Sequence, residues 1–222
     1  MIKIERFETC YWQSNMYIII DDKHCIIVDP CEIETACNML ILNNIVIDYA
    51  VLTHEHCDHI TGVDWARDNG AKVICSFECA RKIKDPRLNA ARYYNDSSQV
   101  QKKLKGTDVP ISENFTCYAD ICFEHEMLCE WQNHKILLRE TPGHSSGSIC
   151  VLLDNDILFA GDSLLENEPT NTRFPSGSQR MFEEVTLPWI RALDTNVTVY
   201  PGHFGEFKLK DRLQKCFERE VC

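Results

Sequence analysis

The segment Thr53-His54-Glu55-His56-Cys57-Asp58-His59 sets three imidazoles and the carboxylate of Asp58 within six consecutive positions, directly after the apolar run Tyr49-Ala50-Val51-Leu52. Imidazole and carboxylate are the ligands that borderline divalent metals such as zinc accept, and only metal coordination makes good use of such density. In an extended segment leaving a strand, alternate side chains share a side, so His54 and His56 point the same way. A turn after His56 then swings Asp58 and His59 toward a second, adjacent position. Three of the chain's 8 histidines fall in this one loop, which makes a chance cluster the weaker explanation.

Three further donors follow strand-like runs. His144 lies in Thr141-Pro142-Gly143-His144-Ser145 after Lys135-Ile136-Leu137-Leu138, Asp162 follows Ile157-Leu158-Phe159-Ala160-Gly161, and His203 follows Val197-Thr198-Val199-Tyr200-Pro201-Gly202. Each has glycine before it, as expected where the backbone turns sharply to aim a side chain into a cleft. A single His or Asp past a strand is more often a cap or loop residue. Four strand ends that all yield metal-type donors are not accounted for that way.

These residues resemble the metallo-β-lactamase-fold hydrolases, whose pattern is H-x-H-x-D-H followed by a distant H, then D, then H; here it is His54, His56, Asp58, His59, His144, Asp162 and His203, with no member missing. The resemblance implies an α/β fold, a four-layer αβ/βα sandwich with a dinuclear metal centre at the edge of its two sheets. Carried over by position, it implies that His54, His56 and His144 hold one metal, that Asp58, His59 and His203 hold the other, and that Asp162 bridges. The implied metals are two divalent ions, zinc first, with iron or manganese as alternatives. Such a pair brings a bound water toward neutrality and polarises the carbonyl under attack, so hydrolysis is the expected reaction, with Asp58 placed to orient the nucleophile. No G-x-S-x-G elbow, P-loop or dinucleotide fingerprint supports another chemistry.

Within that superfamily, Ala160-Gly161-Asp162-Ser163-Leu164-Leu165 and Thr172-Arg173-Phe174-Pro175-Ser176-Gly177-Ser178 look like the G-D-[ST]-L, G-R and P-G-G-S passage of the short glyoxalase II-like hydrolases. This implies cleavage of a thioester such as an acylated glutathione-like thiol. The secreted β-lactamases have cysteine where Asp162 stands. Two departures are visible: Thr172 replaces the glycine before the arginine, and Phe204 replaces the glycine after His203. Alternatives on the same scaffold are a lactonase and a mononuclear-iron persulfide dioxygenase. A non-catalytic metal-binding module is the alternative of another class.

The elements that must position these residues are legible from periodicity. Met16–Ile20 and His24–Pro30 read as a hairpin, Glu34–Asn43 as a helix, the run to His54 as a strand, Thr61–Asn69 as a helix and Lys72–Ser76 as a strand. Strands from Phe115 to Glu130, the three donor-bearing strands, and helices near Gln179–Leu193 and Glu206–Glu218 complete the order. At 222 residues this reads as a single domain, residues 1–222. The exception is a helical, basic insertion at about 77–114; residues 76–105 hold eight Lys or Arg against three Asp or Glu, although the chain's formal charge is −11. It reads either as a solvated face or, with Arg173 as a substrate-binding residue, as a rim that attracts an anionic small molecule.

The negative charge speaks against a nucleic-acid polymer as partner. No apolar stretch of membrane-spanning length occurs, and the charged start Met1-Ile2-Lys3-Ile4-Glu5-Arg6 is unlike a signal peptide. The expected location is therefore cytoplasmic, with no membrane partner. The 13 scattered cysteines, none in a C-x-x-C pair, suit reduced packing thiols. Cys57, inside the ligand cluster, is assigned to packing as well.

Overall fold

In a computed structural model, residues 2–96 and 110–220 are described, the last six of these by backbone alone. The chain forms two compact units, residues 1–122 and 123–222.

The first unit carries the sheet β1 (Lys3–Glu8), β2 (Asn15–Asp21), β3 (His24–Val28), β4 (Val46–Val51), β5 (Lys72–Ser76) and the short β6 (Ile121–Phe123), in that spatial order. The β1–β2–β3 pairings are antiparallel and β3–β4–β5 parallel. Met16 to Ile20 are buried without alternation, as expected of a central strand covered on both faces. The two parallel crossovers run through α1 (Glu34–Leu42) and α2 (Val63–Asp68), which contribute Ala36, Leu40, Val63 and Ala66 to one core with Ile18 and Ile27. Parallel connection puts the carboxyl ends of β3, β4 and β5 on one edge. Asp29, the His54–His59 segment and Phe77 leave from there.

Two element boundaries differ from expectation because of contacts distant in sequence. The strand expected to reach His54 ends at Val51: the Leu52 N–H still donates to the Ile74 carbonyl, but the Thr53 N–H is taken by the Asp29 carboxylate, which ends the ladder. The helix expected from Thr61 starts at Val63, because Gly62 lies against the Cys31 backbone, where a Cβ would meet the Cys31 carbonyl carbon at 2.5 Å.

In the second unit β7 (Glu126–Trp131), β8 (His134–Glu140), β9 (Ile149–Leu153) and β10 (Ile157–Gly161) are antiparallel neighbours. Then β11 (Thr198–Pro201) runs parallel to β10, and β12 (Phe207–Lys208) antiparallel to β11. Leu152, Leu158, Ala160, Ile190 and Val199 lie in its core. The helix expected near 179–193 is broken into Gln179–Met181, a π turn at Phe182–Thr186, and Leu187–Ala192. Pro188, at the start of the last piece, has no N–H to continue an α ladder. The helix expected from Glu206 begins at Leu209, since buried Phe207 is drawn into β12 opposite Val199.

In the basic insertion the described helices are α3 (Phe77–Lys82) and α4 (Ala91–Tyr94). Lys102, Lys103 and Lys105 lie outside the described residues. Of the remaining cations, Arg81 pairs with Glu78, Arg87 with Asp85, and Lys82 is buried against Glu55. The described part of the segment is therefore a weaker cationic rim than its composition suggests.

Candidate metal centre

The first unit brings His54, His56, Asp58 and His59 together on one buried loop. The expected extended run is not kept: the chain bends over Thr53–Glu55, only His56 having extended dihedrals (φ −63°, ψ 138°), and then closes into a 3-10 turn over Cys57–His59. The His54 and His56 rings stand edge to face, centroids 4.6 Å apart, with His54 Nε2 and His56 Nδ1 separated by 3.0 Å. His59 Nε2 lies 3.3 Å from Asp58 Oδ2.

Asp29, which the sequence reading did not single out, organises this loop. Its carboxylate accepts from the Thr53 N–H at 2.7 Å, the Thr53 hydroxyl at 2.7 Å and His59 Nδ1 at 2.9 Å. Because the Thr53 hydroxyl has given its proton to Asp29, it is left to accept from His54 Nδ1, 3.0 Å away. The two contacts fix the tautomers of His54 and His59 so that both turn a bare Nε2 outward, the support that metal-bound imidazoles need. Donor atoms of Asp29, His54 and His59 lie within 4.8 Å of one another. Ser14 adds a brace, its hydroxyl donating to the Asp58 carbonyl at 2.7 Å. The one sequence signal for Asp29 was a carboxylate ending the run Ile26-Ile27-Val28.

The intervening residues do other work. Cys57 packs with Ala91, Tyr94 and Ile111, and its N–H donates to the Asn89 carbonyl at 2.8 Å. Burial, reinforced by neighbouring Asp58, pushes the Cys57 thiol well above the usual range, as suits packing rather than ligation. Glu55 points to Lys82 Nζ at 2.8 Å. Burial raises its carboxyl, but His56 and Lys82 outweigh that, and the net shift is downward.

In the second unit two of the three remaining donors, His144 and His203, converge on the third, Asp162. Its Oδ2 lies 3.5 Å from His144 Nε2 and 3.4 Å from His203 Nε2. His144 Nδ1 donates to the Asn171 carbonyl at 2.8 Å, which again turns Nε2 outward. Gly161 has φ 50°, a left-handed turn that directs Asp162 off β10. Gly143 is held by close approach, since a Cβ there would lie 2.7 Å from Phe182 Cβ. Gly202 departs from expectation: it has no positive φ, and its N–H donates to the Gly161 carbonyl at 2.8 Å, so pairing of the β10 and β11 ends positions His203. Phe204, in the place of the expected glycine, takes φ 68°. Arg173 is exposed, two residues past the carbonyl that holds His144. Its N–H donates to Asn171 Oδ1 at 3.1 Å.

The donor chemistry fits a borderline divalent cation in both units: imidazole nitrogens and carboxylate oxygens, with supporting hydrogen bonds on His54, His59 and His144 that leave the outward nitrogen able to ligate. Among the described residues, no helix is long and apolar enough to cross a membrane.

Comparison with known proteins gives the same direction. The chain is 28% identical over 184 residues to a hydroxyacylglutathione hydrolase of Enterobacter sp. (strain 638), covering 82% of this chain and 55% of that protein. It is 27% identical over 205 residues to one of Psychromonas ingrahamii, covering 91% and 64%. The chain thus spans only about three fifths of the length of these relatives. Among solved structures, the BLEG-1 B3 metallo-beta-lactamase superposes with a TM-score of 0.76 at 24% identity, over 96% of this chain and 97% of that one. At that identity the likeness speaks for the fold, the α/β metallo-β-lactamase fold expected from the ligand pattern. A family description of the metallo-beta-lactamase superfamily matches residues 11–203, most of the chain, and the protein belongs to that superfamily.

Proposed function

We propose that the protein is a metal-dependent hydrolase that cleaves a small thioester, one acyl group on a glutathione-like thiol, with two divalent cations, zinc first. His54, His56 and His144 would hold one cation, Asp58, His59 and His203 the other, with Asp162 as the carboxylate available to both. The observation that carries this reading is the orientation of the imidazoles: hydrogen bonds from Nδ1 of His54, His59 and His144 leave Nε2 as the outward donor. When bound, the cations would acidify a water and draw electron density from the substrate carbonyl.

The chain's own residues do the rest. Asp58 accepts a hydrogen bond from the attacking water and keeps its lone pair toward the carbonyl carbon. Asp162, a carboxylate between two imidazoles, balances positive charge at the point of attack. Arg173, exposed beside the His144 support, attracts a carboxylate on the substrate. All 11 described cysteines are free thiols, which supports a reducing, cytoplasmic setting. The relatives named hydroxyacylglutathione hydrolase support the thioester class.

The test is a hydrolysis screen of thioesters, lactones and phosphodiesters with metal-analysed protein. Two metals per chain and preference for thioesters are expected. One metal per chain with oxygen uptake on a persulfide, or a preference for lactones, overturns the thioesterase reading; stoichiometric metal with no turnover of any substrate favours a binding module.

A further inference from the structure

The ion pair between Lys82 Nζ and Glu55 Oε1 is 2.8 Å long, with side chains 2% and 0% exposed, and lies wholly within the first unit. Removing two opposite charges from water costs about as much as their attraction returns, and an apolar pair of similar volume often packs as well or better. Stability alone is thus a poor reason for its presence. Its place offers another. Glu55 stands between His54 and His56, whose rings meet each other, while its own side chain leaves for Lys82. It reaches α3, whose first turn is tied to the end of β5 by Ser76, the Ser76 hydroxyl accepting from the Cys79 N–H at 3.1 Å. Asp29 and Ser14 hold the two ends of the loop, at Thr53, His59 and the Asp58 carbonyl. Those contacts fall at Thr53 and at Asp58–His59, on either side of His54-Glu55-His56.

We propose that the Lys82–Glu55 pair is the positioning device for that peptide: it anchors the middle of His54-Glu55-His56 to α3 and so sets the 3.0 Å approach of His54 Nε2 and His56 Nδ1. The inference rests on the metal reading above. Lys82 neutralises Glu55, so the pair acts through geometry and adds no net charge to the centre. A flexible apolar contact in its place would keep the fold and lose the pitch of the two rings.

The experiment uses the full chain, stripped of metal, as wild type, Glu55→Leu/Lys82→Met and Lys82→Arg. Zinc affinity is measured by competition with a chelator, the visible spectrum after cobalt(II) loading reports ligand geometry, and melting of the metal-free protein reports the fold. The double variant should melt within a few degrees of wild type, bind zinc about 10- to 100-fold more weakly and show an altered cobalt band. Lys82→Arg, which keeps charge and reach, should stay within about threefold of wild type. A double variant with wild-type zinc affinity and cobalt spectrum overturns the proposal. Should the double variant not fold, Glu55→Asp keeps both charges on an arm one methylene shorter, and unchanged zinc affinity there overturns the proposal equally. A wild-type chain that takes up no zinc overturns the metal reading and this inference together, whereas normal wild-type uptake with unaffected variants removes this inference alone.

Discussion

The ligand loop after β4 and the three strand ends of the second unit supply the same chemistry by different construction. In the loop, four donors are contiguous and buried, with Asp58 and His59 side chains 3% and 0% exposed. In the second unit the donors come from three separate connections, and Asp162 and His203 are 13% and 18% exposed. The loop is held by the side chains of Asp29, Thr53, Ser14 and Lys82, together with the Cys57 N–H that donates to the Asn89 carbonyl. The second set rests mainly on main-chain geometry, with His144 on the Asn171 carbonyl and the ends of β10 and β11 joined from Gly202 to Gly161. A contiguous motif therefore needs dedicated supporting residues, and a dispersed one is supported by the register of the sheet. Point substitutions should reach the first set through its supports and the second only through the donors themselves.

The largest effect is expected at Asp162, whose carboxylate both His144 and His203 approach. Asp162→Ala should lower thioester hydrolysis about 10²- to 10³-fold with little change in melting temperature, as removal of a preorganised charged group does. More than about a tenth of the wild-type rate remaining would show that Asp162 does not serve both cations.

Next comes the support of the first set. Asp29→Asn keeps the shape but removes the charge shared by Thr53 and His59, so metal affinity should fall about 10- to 100-fold by chelator competition. Stability should drop by about 1–3 kcal/mol in urea unfolding, because buried donors lose their charged acceptor. Intact affinity in this variant would erase the contrast between the two constructions.

A smaller effect belongs to Arg173. An exposed charge is worth at most about 1 kcal/mol, so Arg173→Glu should raise KM for an anionic thioester no more than about fivefold at low salt, with kcat unchanged. Equal change for a neutral thioester of the same size would remove Arg173 from recognition.

The smallest is at Phe204, 60% exposed and in the left-handed region, where a bulky side chain is strained. Phe204→Gly should gain about 0.5–1 kcal/mol of stability, read as a modest rise in melting temperature. A loss would mean that the ring's contacts outweigh the strain.

Residue types and spacing by themselves determined the donor set and the type of elements that carry it. Periodicity marks β2, β3, β5 and the donor-bearing strands because burial on a sheet writes directly into local apolar pattern. H-x-H-x-D-H is legible because its chemistry is contiguous. What only the tertiary structure decided is everything that depends on partners distant in sequence. Asp29 meets Thr53 and His59 only because β3 and β4 are parallel neighbours, and no local pattern announces a carboxylate that accepts three hydrogen bonds from a loop 24 to 30 residues away. Composition also misread Lys82 as one cation among eight; α3 turns it inward to Glu55, where burial and pairing, not its count, fix its role. The end of β4 and the start of the last helix at Leu209 were likewise set by long-range hydrogen bonds and pairing, which a one-dimensional pattern does not contain, whereas the break at Phe182 follows from Pro188 in the sequence itself.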